Sequence, residues 1–194
     1  VTFEREGVKE PTTEYELFRL ACFRLDDLKT DLEEGDFSEA LAFLKVSEEN
    51  ENELRNLLTN RLNLNSKARY CVTPEDELAD GTRPDLRFHF PDIDCSVPIE
   101  LKIAHNSWPL HKLKERLENQ LIKQYLRRSK HGIFLLVNNG SKKYWEEPGT
   151  KKHLNFDDLL SALRYFSLEL LNKYSDIEGL EIVGIDLCTR NAGN

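Results

Sequence analysis

No methionine occurs anywhere in the 194 residues, including position 1, as expected of a piece of a longer chain. The longest uncharged apolar runs fall far short of the ~18 residues needed to cross a bilayer, and no signal-peptide pattern opens the chain. No membrane partner is therefore expected, and a cytoplasmic location is. Cysteine is sparse: Cys22, Cys71, Cys95 and Cys188 are scattered, with no CxxC pair. That spacing predicts buried thiols in a reducing compartment rather than a disulfide framework. There is no internal repeat, no low-complexity segment and no recognised DNA-reading motif.

What is present fits one domain with a sizeable core, since the length lies within the ~50–250 residues typical of single domains. The net charge of −8 argues against a nucleic-acid partner only until its distribution is read. Residues 1–60 hold sixteen acidic and seven basic residues, whereas residues 101–132 hold eight Lys or Arg against Glu115 and Glu118. Clustered positive charge, not its chain-wide sum, attracts phosphate.

Periodicity predicts helices over 12–34, 48–64, 109–128 and 156–174, and a short helical turn over 38–44. Strands are predicted over 69–73, 85–90, 97–103, 132–137 and 180–187, and a charged loop over 142–153. The 133–137 run is apolar on both faces, as in a buried sheet covered by helices. Residues 1–47 are expected to form an N-terminal helical extension and 48–194 the principal domain, the two together making one compact unit.

Two strand-like segments carry the chemistry. Asp85 opens one, after Pro84, and Glu100-Leu101-Lys102 lies fifteen residues later in the other. Glu100 and Lys102 are two apart, so on a strand they leave one face while Ile99, Leu101 and Ile103 leave the other. Asp85 and Glu100 offer hard oxygen ligands that suit Mg²⁺. A Glu-x-Lys in a strand is more often a solvated face or an ion pair, but the order of the flanking elements favours a metal-dependent phosphodiesterase site.

Pro84-Asp85 and Glu100-Leu101-Lys102 resemble the two half-motifs of the PD-(D/E)XK, restriction-endonuclease-like nuclease superfamily. The resemblance covers roughly residues 48–138 and implies an α/β fold. Its core would be α-β-β-β-α-β, a central mixed sheet flanked by helices, with extra N-terminal helices and a C-terminal helix and strand. Asn119-Gln120-Leu121 and His131-Gly132-Ile133 are similar to segments of defence-associated prokaryotic nuclease domains. The resemblance implies Mg²⁺ or Mn²⁺ held by Asp85, Glu100 and the Leu101 backbone carbonyl, with Lys102 polarising the attacking water. A further upstream acid, Glu53 or Glu77, would complete the metal shell. Related enzymes with an iron–sulfur cluster bring three cysteines together near the C-terminus, where this chain has only Cys188, so no cluster is expected.

On the 109–128 helix, Lys112, Arg116, Lys123 and Arg127 fall within an arc of about 80° at 100° per residue, which predicts a nucleic-acid-binding face. Leu110, Leu113, Leu117 and Leu121 form a separate packing stripe, with Gln120 at the border. By the resemblance Gln120 would support the site. Relatives often show Tyr four residues after that Gln, but here Tyr125 is five after it, a rotation of about 140° that predicts a core position. His105 and His111 are assigned no catalytic role. The expected function is Mg²⁺-dependent DNA hydrolysis in an anti-phage or restriction-type system. A homodimer, and an NTPase or sensor domain or subunit, are the associated partner expectations. The alternatives are a non-cleaving nuclease-fold module that binds nucleic acid or protein, and an acidic helical interaction protein.

Overall fold

The computed structural model describes residues 10–66, 69–74, 84–105, 108–146, 149 and 153–188. Three helices come first: α1 (Glu14–Glu34), α2 (Phe37–Glu49) and α3 (Glu51–Leu64). Strands β1 (Cys71–Pro74), β2 (Leu86–His89) and β3 (Ser96–Ile103) follow. Then come α4 (Leu110–Arg116), a π-helical continuation over Leu117–Tyr125, and β4 (His131–Asn138). The short strands β5 (Trp145–Glu146) and β6 (His153–Leu154), helix α5 (Phe156–Lys173) and β7 (Gly179–Asp186) complete the order.

The central sheet is mixed and runs β1-β2-β3-β4-β7. Strand β2 is antiparallel to both neighbours, while β3, β4 and β7 are parallel to one another. Strands β3 and β4 are buried along their whole length. Alternation divides their side chains between two apolar layers. Ile99, Leu101 and Ile103 pack with Ile133, Leu135 and Val137 under the N-terminal helices. Phe134 and Leu136 face the layer formed by α4, the π segment and α5. Gly132 lets the π segment approach β4, because a Cβ there would lie 3.0 Å from Leu121 and 3.1 Å from Leu126.

The N-terminal helices are part of this core, not an appendage. Leu17, Leu25, Leu28 and Leu32 of α1 share one buried cluster with the strands. Glu14 accepts from the backbone N–H of His131 at 3.1 Å, fixing the start of α1 to the start of β4. Arg61 of α3 bonds Asp31 at 2.9 Å and pairs with Glu39, joining the three helices.

Some boundaries differ from the pattern in the sequence. Helix α2 is thirteen residues long where a short turn is predicted. Asn50 ends it by donating its backbone N–H to Val46, and starts α3 by accepting from Glu53 N. The helix expected to start at residue 48 thus starts at Glu51, after a break at Asn50. The 142–153 segment, read as a loop, contributes the β5–β6 pair. The thiols are also less buried than predicted: all four are free, Cys71 is exposed and the others are half-buried. Among the described residues, no helix is long and apolar enough to cross a membrane.

Candidate active site

Strand β3 outlasts its partner. Leu86, the first residue of β2, pairs with Ile99, so among the described residues β3 continues from Glu100 to Ile103 with a ladder only to β4. The open edge must satisfy its backbone groups some other way. Asp85, just before β2, accepts a hydrogen bond from Leu101 N at 2.9 Å. The Lys102 ammonium folds back to donate to the Leu101 carbonyl. The end of the strand pairing therefore brings an aspartate and a lysine to the two polar backbone atoms of one residue.

Four oxygens converge on Lys102 Nζ. Besides the Leu101 carbonyl, these are Glu100 Oε1 at 2.9 Å, Glu51 Oε1 at 3.0 Å and Asp85 Oδ2 at 3.3 Å. Arg55, one turn after Glu51, brings Nη1 to 3.6 Å from Asp85 Oδ1. Glu100 is 0% exposed and Lys102 5%. Although the ammonium is close to Glu100, neither carboxylate oxygen has an aligned hydrogen-bond partner. Burial, followed by the charge of Asp85, pushes the Glu100 carboxyl up to about 8 despite the opposing effect of Lys102. Burial pulls the Lys102 ammonium the other way, but Glu100, Asp85 and Glu51 outweigh it and raise its pKa. The result is a persistent cation held among carboxylates, one of which is reluctant to ionise.

Lys102 also lies 5.8 Å from the centre of the Trp108 ring, and the Arg116 guanidinium carbon lies 5.2 Å from the same ring. Arg116 donates to Gln120 Oε1 at 2.6 Å, and Gln120 Nε2 donates to the Tyr125 hydroxyl at 2.7 Å. Tyr125 is buried, as expected, but the expected 140° separation from Gln120 is overturned. The chain there is π-helical, with Leu126 N bonded to the carbonyl five residues back at Leu121. A turn closed at five residues stacks side chains that an α-helix would splay. Burial and the charge of Glu100 raise the Tyr125 pKa.

The predicted basic residues border two depressions. Lys112 and Arg116 line a groove beside Trp108 and Gln120. Arg127 instead lines a separate depression with Arg87, Arg128 and Tyr125. Lys123 is exposed and bonds Asn119 at 2.7 Å. His111 is exposed, while the His105 ring sits 6.4 Å from Trp108.

Of the upstream acids, Glu53 is exposed on α3 and Glu51 reaches the cluster instead. Two residues rotate an α-helix by about 200°, so the two glutamates cannot share a direction. Glu77 lies outside the described residues. Glu51, Arg55 and Trp108 join the site without having been expected there. The signal that could have found the first two is Arg55, a charge one residue after Leu54 on the apolar stripe and four after Glu51.

The donor set is suited to a hard cation: three carboxylates and a carbonyl, with both Glu100 oxygens buried and lacking an aligned hydrogen bond. Among the described residues, however, no three Asp, Glu, His or Cys side chains are arranged to hold a metal by themselves. The carboxylates meet through the lysine. Comparisons with family models, curated proteins and solved structures each found no match.

Proposed function

We propose that this chain is a Mg²⁺-dependent nuclease of restriction-endonuclease-like fold that hydrolyses phosphodiester bonds in DNA, as an effector of a prokaryotic defence system. The convergence of Glu51, Asp85, Glu100 and the Leu101 carbonyl on one ammonium carries this reading. A site that gathers four oxygens around a positive charge has the chemistry to gather them around Mg²⁺ or Mn²⁺. The order of helices and strands, with Asp85 just before β2 and Glu100 on the adjacent β3, also supports it.

Asp85, Glu100 and the Leu101 carbonyl would hold the ion, with Glu51 as the helix acid. When bound, it would lower the pKa of a water and stabilise charge on the phosphate. Asp85 is oriented for its part by Leu101 N. Lys102, with its raised pKa, keeps its charge at neutral pH and places it beside the developing oxyanion. The buried wall around Glu100 excludes bulk water and strengthens these interactions. A homodimer would supply the two sites for double-strand cutting, and an NTPase or sensor domain would supply control.

One observation favours a second reading, a nuclease-fold module that binds without cutting: the carboxylates are closed on Lys102 and, among the described residues, form no metal cluster alone. A supercoiled-plasmid assay separates the two. The proposal expects nicking or linearisation with Mg²⁺ or Mn²⁺, none in EDTA, and little turnover with Ca²⁺. DNA binding with no cleavage in either Mg²⁺ or Mn²⁺ would select the binding module. Cleavage that persists in EDTA would overturn the metal assignment.

A further inference from the structure

The groove beside the acidic cluster has about 280 Å³ of space and is lined by Trp108, Lys112, Arg116, Asn119, Gln120 and Gln124. Glu115 is the acid in this lining, and it is engaged by Lys112 at 2.8 Å. Trp108 is half-buried, and its backbone is held at both ends. Its N–H donates to His105 O at 3.0 Å, and its carbonyl accepts from the Trp145 indole at 3.2 Å. The Lys102 and Arg116 contacts place its ring between the cluster and the groove.

An indole on a backbone so anchored provides a face on which any nucleobase can stack. Three amides on one wall can donate to and accept from a base edge, and Lys112 and Arg116 match phosphate. A base within a duplex cannot use such a platform, because its faces are covered by its neighbours and its edge by its partner. The occupant must be unpaired.

Building on the nuclease reading, we propose that this groove receives one unpaired nucleotide of single-stranded DNA, next to the phosphodiester presented to Asp85, Glu100 and Lys102. The base stacks on Trp108. Its edge meets Asn119, Gln120 and Gln124, and its phosphate meets Lys112 and Arg116. The exposed Arg116 side chain can move from the indole or stack on the base in turn. This makes single-stranded DNA the substrate class, with duplex attacked only where its strands have separated.

Tryptophan fluorescence provides the test. The chain has two tryptophans, and Trp145 is 1% exposed, so quenching by added oligonucleotide reports Trp108. An oligo(dT) strand and a blunt duplex of equal length are titrated in EDTA at fixed salt. The expected result is quenching by oligo(dT) and at least roughly ten-fold weaker duplex binding. Trp108→Ala should weaken oligo(dT) binding about ten-fold or more, the worth of one base stack, and change duplex binding less than two-fold. Trp108→Phe should restore most of the affinity, and Gln124→Ala tests the exposed wall without touching the indole. No quenching, or single-strand affinity unchanged in both Trp108→Ala and Gln124→Ala, would overturn the groove. Cleavage of single-stranded circular DNA and of supercoiled plasmid by the wild type in Mg²⁺ is measured alongside. Cleavage without quenching would overturn the groove and leave the nuclease, whereas quenching without cleavage would support the groove and overturn the nuclease.

Discussion

Lys102 and the cations of the following helix are close in sequence but differ in environment. Lys102 is almost buried and has three carboxylates around its ammonium. Lys112 and Lys123 are about half exposed and bond acceptors on their own helix. Two unit charges 4 Å apart interact by about 1 kcal/mol in water and about 4 kcal/mol at an effective dielectric of 20. The dense basic block in the sequence is therefore the weaker electrostatic feature, and a single lysine in a strand is the stronger.

Removing the buried cation should produce the largest effect. Lys102→Ala leaves Glu100 buried without its compensating charge and should cost about 3 kcal/mol in urea denaturation at pH 9, with less cost at pH 6, where Glu100 takes up a proton. Cleavage should fall about 10²–10³-fold. Calorimetry should show Mg²⁺ binding tightened, since the ammonium no longer competes for the carboxylates. Weaker Mg²⁺ binding would mean that Lys102 does not occupy the cation's position.

Glu100→Gln sharpens the comparison from the acid side. The folded carboxyl titrates near 8 against an ordinary value of 4.5, so between these values the native state binds more protons than the unfolded chain. Its contribution is fully present below the unfolded value and is lost as pH rises towards 8. The variant has nothing to titrate there. Its stability relative to wild type should rise by about 4 kcal/mol between pH 5 and pH 9, as read from denaturation midpoints in EDTA. A difference that did not change with pH would show that Glu100 ionises normally.

The exposed cations should matter least to the fold and only incrementally to binding. Lys123→Glu with Arg127→Glu should leave the denaturation midpoint unchanged. Each duplex phosphate that a variant no longer neutralises should lower the slope of log affinity against log salt by about 0.9. Arg127 Nε donates to the Lys123 carbonyl at 3.0 Å, so the two exposed side chains are neighbours, and each single variant should lower the slope by part of the double variant's change. An unchanged slope in the double variant would place the DNA track away from these two residues.

The strands were legible because their side chains alternate between two environments. Ile99, Leu101 and Ile103 mark one face of β3, while Glu100 and Lys102 mark the other. The helix acid was less legible. Glu51 and Glu53 are similar in the sequence, and only the seating of α3 on the sheet decides which one turns inward. The Gln120–Tyr125 contact was hidden for another reason. A helical wheel assumes one period, whereas the chain here widens to a π turn against β4.

Composition and local pattern by themselves determined the α/β class, the principal strands and the placement of acidic and basic residues along the chain. They did so because alternation and helical periodicity are written in near neighbours. Tertiary structure alone decided that β3 would outrun β2, that four oxygens would meet at Lys102, and that Trp108 would stand at the groove. Those outcomes depend on register and packing between distant segments, and no local window of sequence contains both partners.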